Sequence, residues 1–260
     1  MNIGVSTACF YPLITEEALK TVGKHNVKTT ELFFNANCEL EPHFIKLLKN
    51  IKNEYDMNIV SIHPTMSLAE SFMLFSSYER RLEEGLDWYK RYSEIAADFG
   101  AQYIIMHGGK PNNVMDDKGY FERFALIAGK VKENGATLLQ ENVAKFRAGS
   151  LDFLKRMSAY LGETAKFCLD LKQCIRGNYS PYDVVDAVAD NIKHLHISDS
   201  SNKNDCVLPG DGEFDFEKFF QAIKKAGYSG DAVIEVYSTC YNDYNEVFTS
   251  FDNMENTHFI

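Results

Sequence analysis

Short apolar runs, rich in β-branched and aromatic residues, recur along this chain at intervals of roughly 30 residues. They are NIGVS (2–6), TTELFF (29–34), NIVSIH (58–63), AQYIIMH (101–107), ATLLQE (136–141), AKFCLD (165–170), IKHLHIS (192–198) and AVIEV (232–236). Between them lie segments of helical periodicity, among them PHFIKLLKNIKNEY (42–55), FERFALIAGKVKEN (121–134), SLDFLKRMSAYLG (150–162) and FEKFFQAIKKAGY (216–228). Apolar runs that do not alternate with polar residues belong in strands buried on both faces, and helices between them make the sheet parallel. Eight such units predict closure into a (β/α)8 barrel. The open, doubly wound alternative loses ground because no GxGxxG follows the first run. Barrels of this kind use about 250 residues as one domain, and no Pro/Gly/Ser-rich linker divides the chain, so residues 1–260 are expected to form a single domain.

Most of the runs finish on a residue that a buried strand would avoid. The third ends in His63, the fourth in His107, the fifth in Glu141 and the sixth in Asp170, while the seventh carries His196 and the eighth Glu235. In a parallel barrel the C-terminal strand ends converge on one face, so residues far apart in sequence can point into one pocket. Three carboxylates and an imidazole in a partly dry pocket repel one another unless a cation is present. An oxygen-rich set with a single histidine suits Mn²⁺, Mg²⁺, Co²⁺ or Fe²⁺ better than a structural zinc. Taken singly, a strand-end Asp or Glu is more often a helix N-cap. Their coincidence on successive strands makes Glu141, Asp170, His196 and Glu235 the expected metal ligands. His194, two positions earlier in the seventh run, is read as structural.

The net charge of −10 works against a nucleic-acid partner, which would be held largely by Lys and Arg on phosphates. The densest charged segment, YERRLEEGLDWYKR (78–91), spaces opposite charges at helical intervals and reads as the solvated face of a helix. Six cysteines without a CxxC pair read as buried or idle thiols. No run is long enough for a membrane span and the first residues, MNIGVSTACFYP, lack the pattern of a signal peptide, so a cytoplasmic location is expected. The longest non-periodic stretch, DSSNKNDCVLPGDGEFD (199–215), is expected to be a loop after the seventh strand, and long loops at that end of a barrel tend to carry function.

Glu141 in LLQENV, Asp170 in CLDLKQ, His196 in HLHISDS, LPGDGEFDF (208–216) and Glu235 in AVIEVYS together resemble the sugar phosphate isomerase/epimerase family. These are the xylose isomerase-like TIM barrels, a superfamily that also includes endonuclease IV. The resemblance runs from IGVST in the first strand to the eighth. It implies one divalent metal (Mn, Mg, Co, Fe or Zn) on those four residues, with Glu141 and Glu235 also exchanging protons with a small sugar, sugar phosphate or related polyol. A metal bound to a carbonyl and its neighbouring hydroxyl would acidify the α-C–H and stabilise an enediolate, with the two carboxylates removing and returning the proton. His63 and His107 resemble positions that line the substrate pocket.

Two departures stand out. The family often has Asp-x-x-His after the sixth strand, whereas DLKQ puts Gln173 there, and the histidine expected just before LPG is replaced in the region of Cys206. Endonuclease IV-like enzymes need those histidines for three zinc ions, so abasic-site cleavage is not expected. Gln173 is instead a candidate for a hydrogen bond to a substrate hydroxyl. Lys110 and Arg147 are candidates for a phosphate or carboxylate, against a reading as plain surface cations. The alternatives to an isomerase are an inosose dehydratase-like lyase sharing the first step, and a barrel that binds sugar or metal without turnover. A homo-oligomer is compatible with all three.

Overall fold

Each apolar run forms a parallel strand in the computed structural model, which describes residues 1–64, 67–112 and 115–256. The strands are β1 (Ile3–Ser6), β2 (Thr29–Phe33), β3 (Asn58–His63), β4 (Tyr103–Met106), β5 (Thr137–Glu141), β6 (Phe167–Asp170), β7 (Ile192–Ile197) and β8 (Ala232–Ile234). Each pairs with the next, and β8 closes on β1 through Ile3 with Ala232, Gly4 with Val233 and Val5 with Ile234. The strands are buried along almost their whole length, which is why they lack polar alternation.

Helices cover the outside. They are α1 (Thr15–Lys24), α2 (Pro42–Glu54), α3 (Ser67–Met73), α4 (Glu79–Phe99), α5 (Asp117–Lys132), α6 (Leu151–Leu161), α7 (Leu171–Arg176), α8 (Pro181–Val188), α9 (Phe216–Lys225) and α10 (Tyr244–Asn256). Local chemistry sets their starts. Pro42 takes the first turn of α2, while Asp116, Ser150 and Asp215 accept backbone N–H groups at the N-termini of α5, α6 and α9. The charged segment lies in α4, where Glu79, Arg80, Glu83, Glu84, Asp87 and Lys90 are exposed and Gly85 and Tyr89 are buried. Side chains such as Ile104 and Leu138 join the main core beneath the helices, whereas Ile105, Leu139 and Cys168 form a separate apolar cluster. Alternation along the strands puts that cluster on the same face as Glu141 and Asp170, inside the bore.

The loop after β7 is ordered around one carboxylate. Asp199 Oδ1 accepts from the N–H of Ser200 (2.7 Å) and Phe214 (2.9 Å), and Oδ2 from Gly210 and Gly212 (both 3.1 Å). This explains the glycines of PGDG. Gly210 has φ +95°, and a Cβ at Gly212 would stand 2.2 Å from Asp199 Oδ1 and 2.3 Å from the Ser200 carbonyl oxygen.

Two strands stop before the polar residue that marks their apolar runs. β4 stops at Met106, leaving His107 just beyond it, and β8 stops at Ile234, leaving Glu235 in the loop. The Glu235 N–H still donates to the Ile197 carbonyl at 3.0 Å, so the residue stays in register with β7.

Candidate functional site

The ends of β5 to β8 carry the four residues singled out above, and the barrel brings them together. Glu141, Asp170, His196 and Glu235 each present a ligand atom within 4.8 Å of the others'. His196 is the hub: its Nδ1 lies 3.4 Å from Glu141 Oε1, 3.3 Å from Glu235 Oε2 and 3.9 Å from Asp170 Oδ2. The first two strand tips are tied by Asn142, which accepts from the Asp170 N–H at 2.7 Å and donates to its carbonyl oxygen at 3.1 Å. Asp170 also caps α7 by accepting from the Gln173 N–H at 3.2 Å. The ordinary structural role of a strand-end Asp therefore coexists with its place in the cluster.

His63 and His107 stand beside Glu141. Their Nε2 atoms are 3.1 Å apart, and they lie 3.8 Å and 2.8 Å from Glu141 Oε2 respectively. That oxygen is buried and has no well-aligned hydrogen-bond donor. His107 is held by its backbone: Glu70 on α3 accepts from the N–H groups of His107 (3.0 Å) and Gly108 (2.8 Å) and from Tyr89 Oη (2.7 Å). Burial raises the Glu70 pKa. Gln140 pins the same loop, donating to the carbonyls of Met106 and His107 at 3.1 and 3.0 Å.

Beneath this layer sits a second one. Glu31 in β2 is fully buried, and its carboxylate accepts from Ser6 Oγ (3.0 Å) and Ser61 Oγ (2.8 Å) and faces His196 Nε2 at 3.0 Å. Ser61 Oγ is 3.3 Å from His194 Nε2. Contacts between β2 and β7 cross the bore, so His194 and His196 both point inward, as residues two apart on a regular strand must. Burial, helped by the neighbouring His196, pushes His194 down to about 3, which keeps it neutral.

The charges above are strongly shifted. Burial opposes ionisation of Glu141, yet the imidazoles of His107, His196 and His63 hold it well below the usual carboxylate range. Glu235 is likewise held low, by Lys172 and His196 against burial. For His63, burial is outweighed by the adjacent Glu141 carboxylate and by the charges of Glu31 and Glu235, and its pKa rises to about 9. Asp170 goes the other way: burial, with Glu141 and Glu235 adding repulsion, raises it to about 8 despite Lys172. Asp170 is thus the one carboxyl of the set at which burial and repulsion outweigh the contact with Lys172.

His63, His107, Glu141, Lys172 and Glu235 open onto a cavity of about 350 Å³, the size of a small-molecule site, lined also by Ala8, Tyr11, Phe33, Asn35, Gln173, Val236, Tyr237 and Ser238. Gln173 is one of the lining residues, with its Oε1 accepting from the Ala144 N–H at 3.1 Å. Lys110 is not brought to the cavity. Its ammonium lies 5.9 Å from the Phe146 ring and its N–H donates to Ser71 Oγ at 2.9 Å. Arg147 is also spoken for, with its guanidinium on the Asp117 carboxylate and the Met115 carbonyl. Cys206 pairs with Cys240, their sulfurs 3.5 Å apart, rather than supplying a ligand to the four-residue cluster.

Three carboxylate oxygens and an imidazole nitrogen converging beside an unaligned buried oxygen fit a divalent cation of hard or borderline character. Among the described residues two further groups have the same compactness, His63 with His107 and Glu141, and Glu31 with His194 and His196.

Residues 19–254 match the family described as the xylose isomerase-like TIM barrel. The chain belongs to that family. It is 24% identical over 227 residues to fructoselysine 3-epimerase of Escherichia coli O157:H7, a match covering 79% of this chain and 78% of the relative. A solved D-tagatose 3-epimerase-like protein superposes with a TM-score of 0.79 at 18% identity over 100% of both chains. The IolI protein, solved with a binding zinc atom, superposes with a TM-score of 0.78 at 14% identity, over 97% of this chain and 96% of that one. At such identities the structural likeness speaks for the barrel, and the chemistry rests on the site.

Two buried charged residues of the site, Lys172 and Glu31, are not among the candidates that the sequence offers. Glu31 carried a signal, a carboxylate inside the apolar run TTELFF, of the same kind that drew attention to Glu141. Lys172 carried none, since a lysine in the first turn after a strand is ordinarily solvated.

Proposed function

We propose that this chain is a divalent-metal-dependent isomerase or epimerase of a small sugar, sugar phosphate or related polyol. The observation that carries the reading is the pairing of Glu141 and Glu235. Both line the cavity, both stay ionised, and they stand 3.4 and 3.3 Å from the same His196 nitrogen. The metal would be held by Glu141, Asp170, His196 and Glu235, and when bound it supplies Lewis-acid polarisation of a carbonyl and its neighbouring hydroxyl. One of the two glutamates removes the proton from the carbon beside the carbonyl. The other returns a proton, on the opposite face for epimerisation or at the adjacent carbon for isomerisation. His63 and His107 flank the Glu141 carboxylate and line the cavity. Gln173, its oxygen occupied by Ala144, offers its NH₂ to a substrate hydroxyl. The name of the E. coli relative, a 3-epimerase, is in line with this reading.

The test is incubation of Mn²⁺- or Mg²⁺-loaded protein with a panel of ketoses in deuterated water, followed by mass and NMR analysis. The expected result is a product of unchanged skeleton carrying solvent deuterium at the reacting carbon. A product lighter by one water would point to a lyase, and no deuterium with any substrate would leave a binder.

A further inference from the structure

Lys172, in the first turn of α7, reaches back over the strand tips and is 3% exposed. Its ammonium contacts Asp170 Oδ2 and Glu235 Oε2 and lies 3.3 Å from the Glu235 carbonyl oxygen. The Tyr237 ring is 5.8 Å away. The same two carboxylate oxygens face His196 Nδ1, at 3.9 and 3.3 Å, so they point to the place where the four proposed ligands converge. A buried ammonium is tolerated only when paired. Here the pairing uses oxygens that a divalent ion would also need, and two cations a few ångströms apart in a dry site repel strongly. The lysine lines the cavity as well, and its flexible four-carbon stem lets the ammonium change partners without moving the backbone.

Resting on the metal reading above, we infer that Lys172 is a resident counter-ion: in the metal-free protein it neutralises Glu235 and occupies the facing oxygen of Asp170, it yields those oxygens when a divalent cation binds, and it turns its ammonium toward the oxygens of a bound substrate. Two consequences follow. The barrel keeps its shape without metal, because the ammonium holds the facing oxygens of Asp170 and Glu235 in place, and metal affinity is lower than the ligand set alone would confer.

The test is Mn²⁺ titration, followed by the EPR signal of the free ion, of wild type, Lys172→Met and Lys172→Arg. Lys172→Met, which keeps the length and removes the charge, is expected to lower the Kd about tenfold or more. Lys172→Arg, which keeps the charge, is expected to bind no tighter than wild type. Equal or weaker binding by Lys172→Met overturns the counter-ion role and leaves the metal reading intact. Absence of binding in wild type and both variants overturns both. Should Lys172→Met fail to fold even with Mn²⁺, acylation of wild-type lysines by acetic anhydride, mapped by mass spectrometry, decides the matter. Modification of Lys172 is expected to rise severalfold when Mg²⁺ saturates the protein, and an unchanged rate overturns the inference.

Discussion

Replacing Glu31 by Gln tests whether the buried layer under the cluster sets the behaviour of His196. The Glu31 carboxylate receives two serine hydroxyls, at 3.0 and 2.8 Å, and faces His196 Nε2 at 3.0 Å. Burial works against its charge, yet His196 outweighs burial and holds Glu31 at about 2. An amide of the same shape offers one oxygen and a donating NH₂. The oxygen can stay with Ser61 and His196, while the NH₂ forces the Ser6 hydroxyl to turn and accept. What is lost is the negative charge opposite His196 and the strength that charge lent to three contacts. With hydrogen bonds to charged groups worth about 1.5–3 kcal/mol each, the substitution should cost about 2–4 kcal/mol in urea denaturation. It should also weaken Mn²⁺ binding about 10–100-fold, the usual effect of removing a carboxylate behind a metal-binding histidine. By accepting the Nε2 proton, Glu31 leaves Nδ1 as the ring nitrogen facing the other carboxylates, and Gln does this less firmly. Stability within about 0.5 kcal/mol of wild type, the range of a neutral surface change, together with an unchanged Kd would refute the positioning role.

Two other substitutions separate chemistry from scaffold. Glu141→Gln and Glu235→Gln should each lower turnover by about 10²–10⁴, the usual contribution of a general acid or base, with a circular dichroism spectrum like that of wild type; full turnover in either variant removes that residue from the mechanism. Gly212→Ala places a methyl against Asp199 Oδ1 and the Ser200 carbonyl. It should cost about 1–3 kcal/mol by overpacking, read as a lower Tm, and an unchanged Tm would mean the loop is looser than its hydrogen bonds imply.

The barrel could be read in the sequence because a parallel sheet covered on its faces leaves a one-dimensional trace, continuous apolar runs with helices between. The polar strand tips were legible for the same reason: Glu141 and Asp170 break their runs where a buried strand has no need of charge. What the sequence hides is pairing across the bore. Glu31 was visible as an odd residue in TTELFF, but its partners Ser6, Ser61 and His196 sit on three other strands and meet it only once the barrel closes. Lys172 was hidden more thoroughly. Its burial depends on how tightly α7 turns back over the mouth, which the residues DLKQ do not reveal. Lys110 and Arg147 show the converse, cations near the right strand ends that the loop geometry directs elsewhere.

The charges of the two layers also constrain what happens when a dication arrives. At neutral pH, Glu31, Glu141 and Glu235 are ionised, and His63, His196 and Lys172 carry protons. Asp170, raised to about 8 by burial and by its two carboxylate neighbours, is protonated. Among these seven groups, three negative charges therefore face three positive. A dication placed on Asp170 and on His196 Nδ1 displaces the proton from each, giving four negative charges against the two of the ion, Lys172 and His63. Balance is regained without stripping Lys172 of its proton, which is why displacement of the ammonium suffices. Binding near pH 7 should then release two protons per ion, so affinity should climb about 100-fold per pH unit while both groups are protonated. Above pH of about 8 Asp170 is already ionised and the count should fall to one. Calorimetric titration with Mg²⁺ in two buffers of different ionisation enthalpy reads the count directly. Heats independent of the buffer at pH 7 would mean that no proton leaves, and the charge balance drawn from these side chains would be wrong.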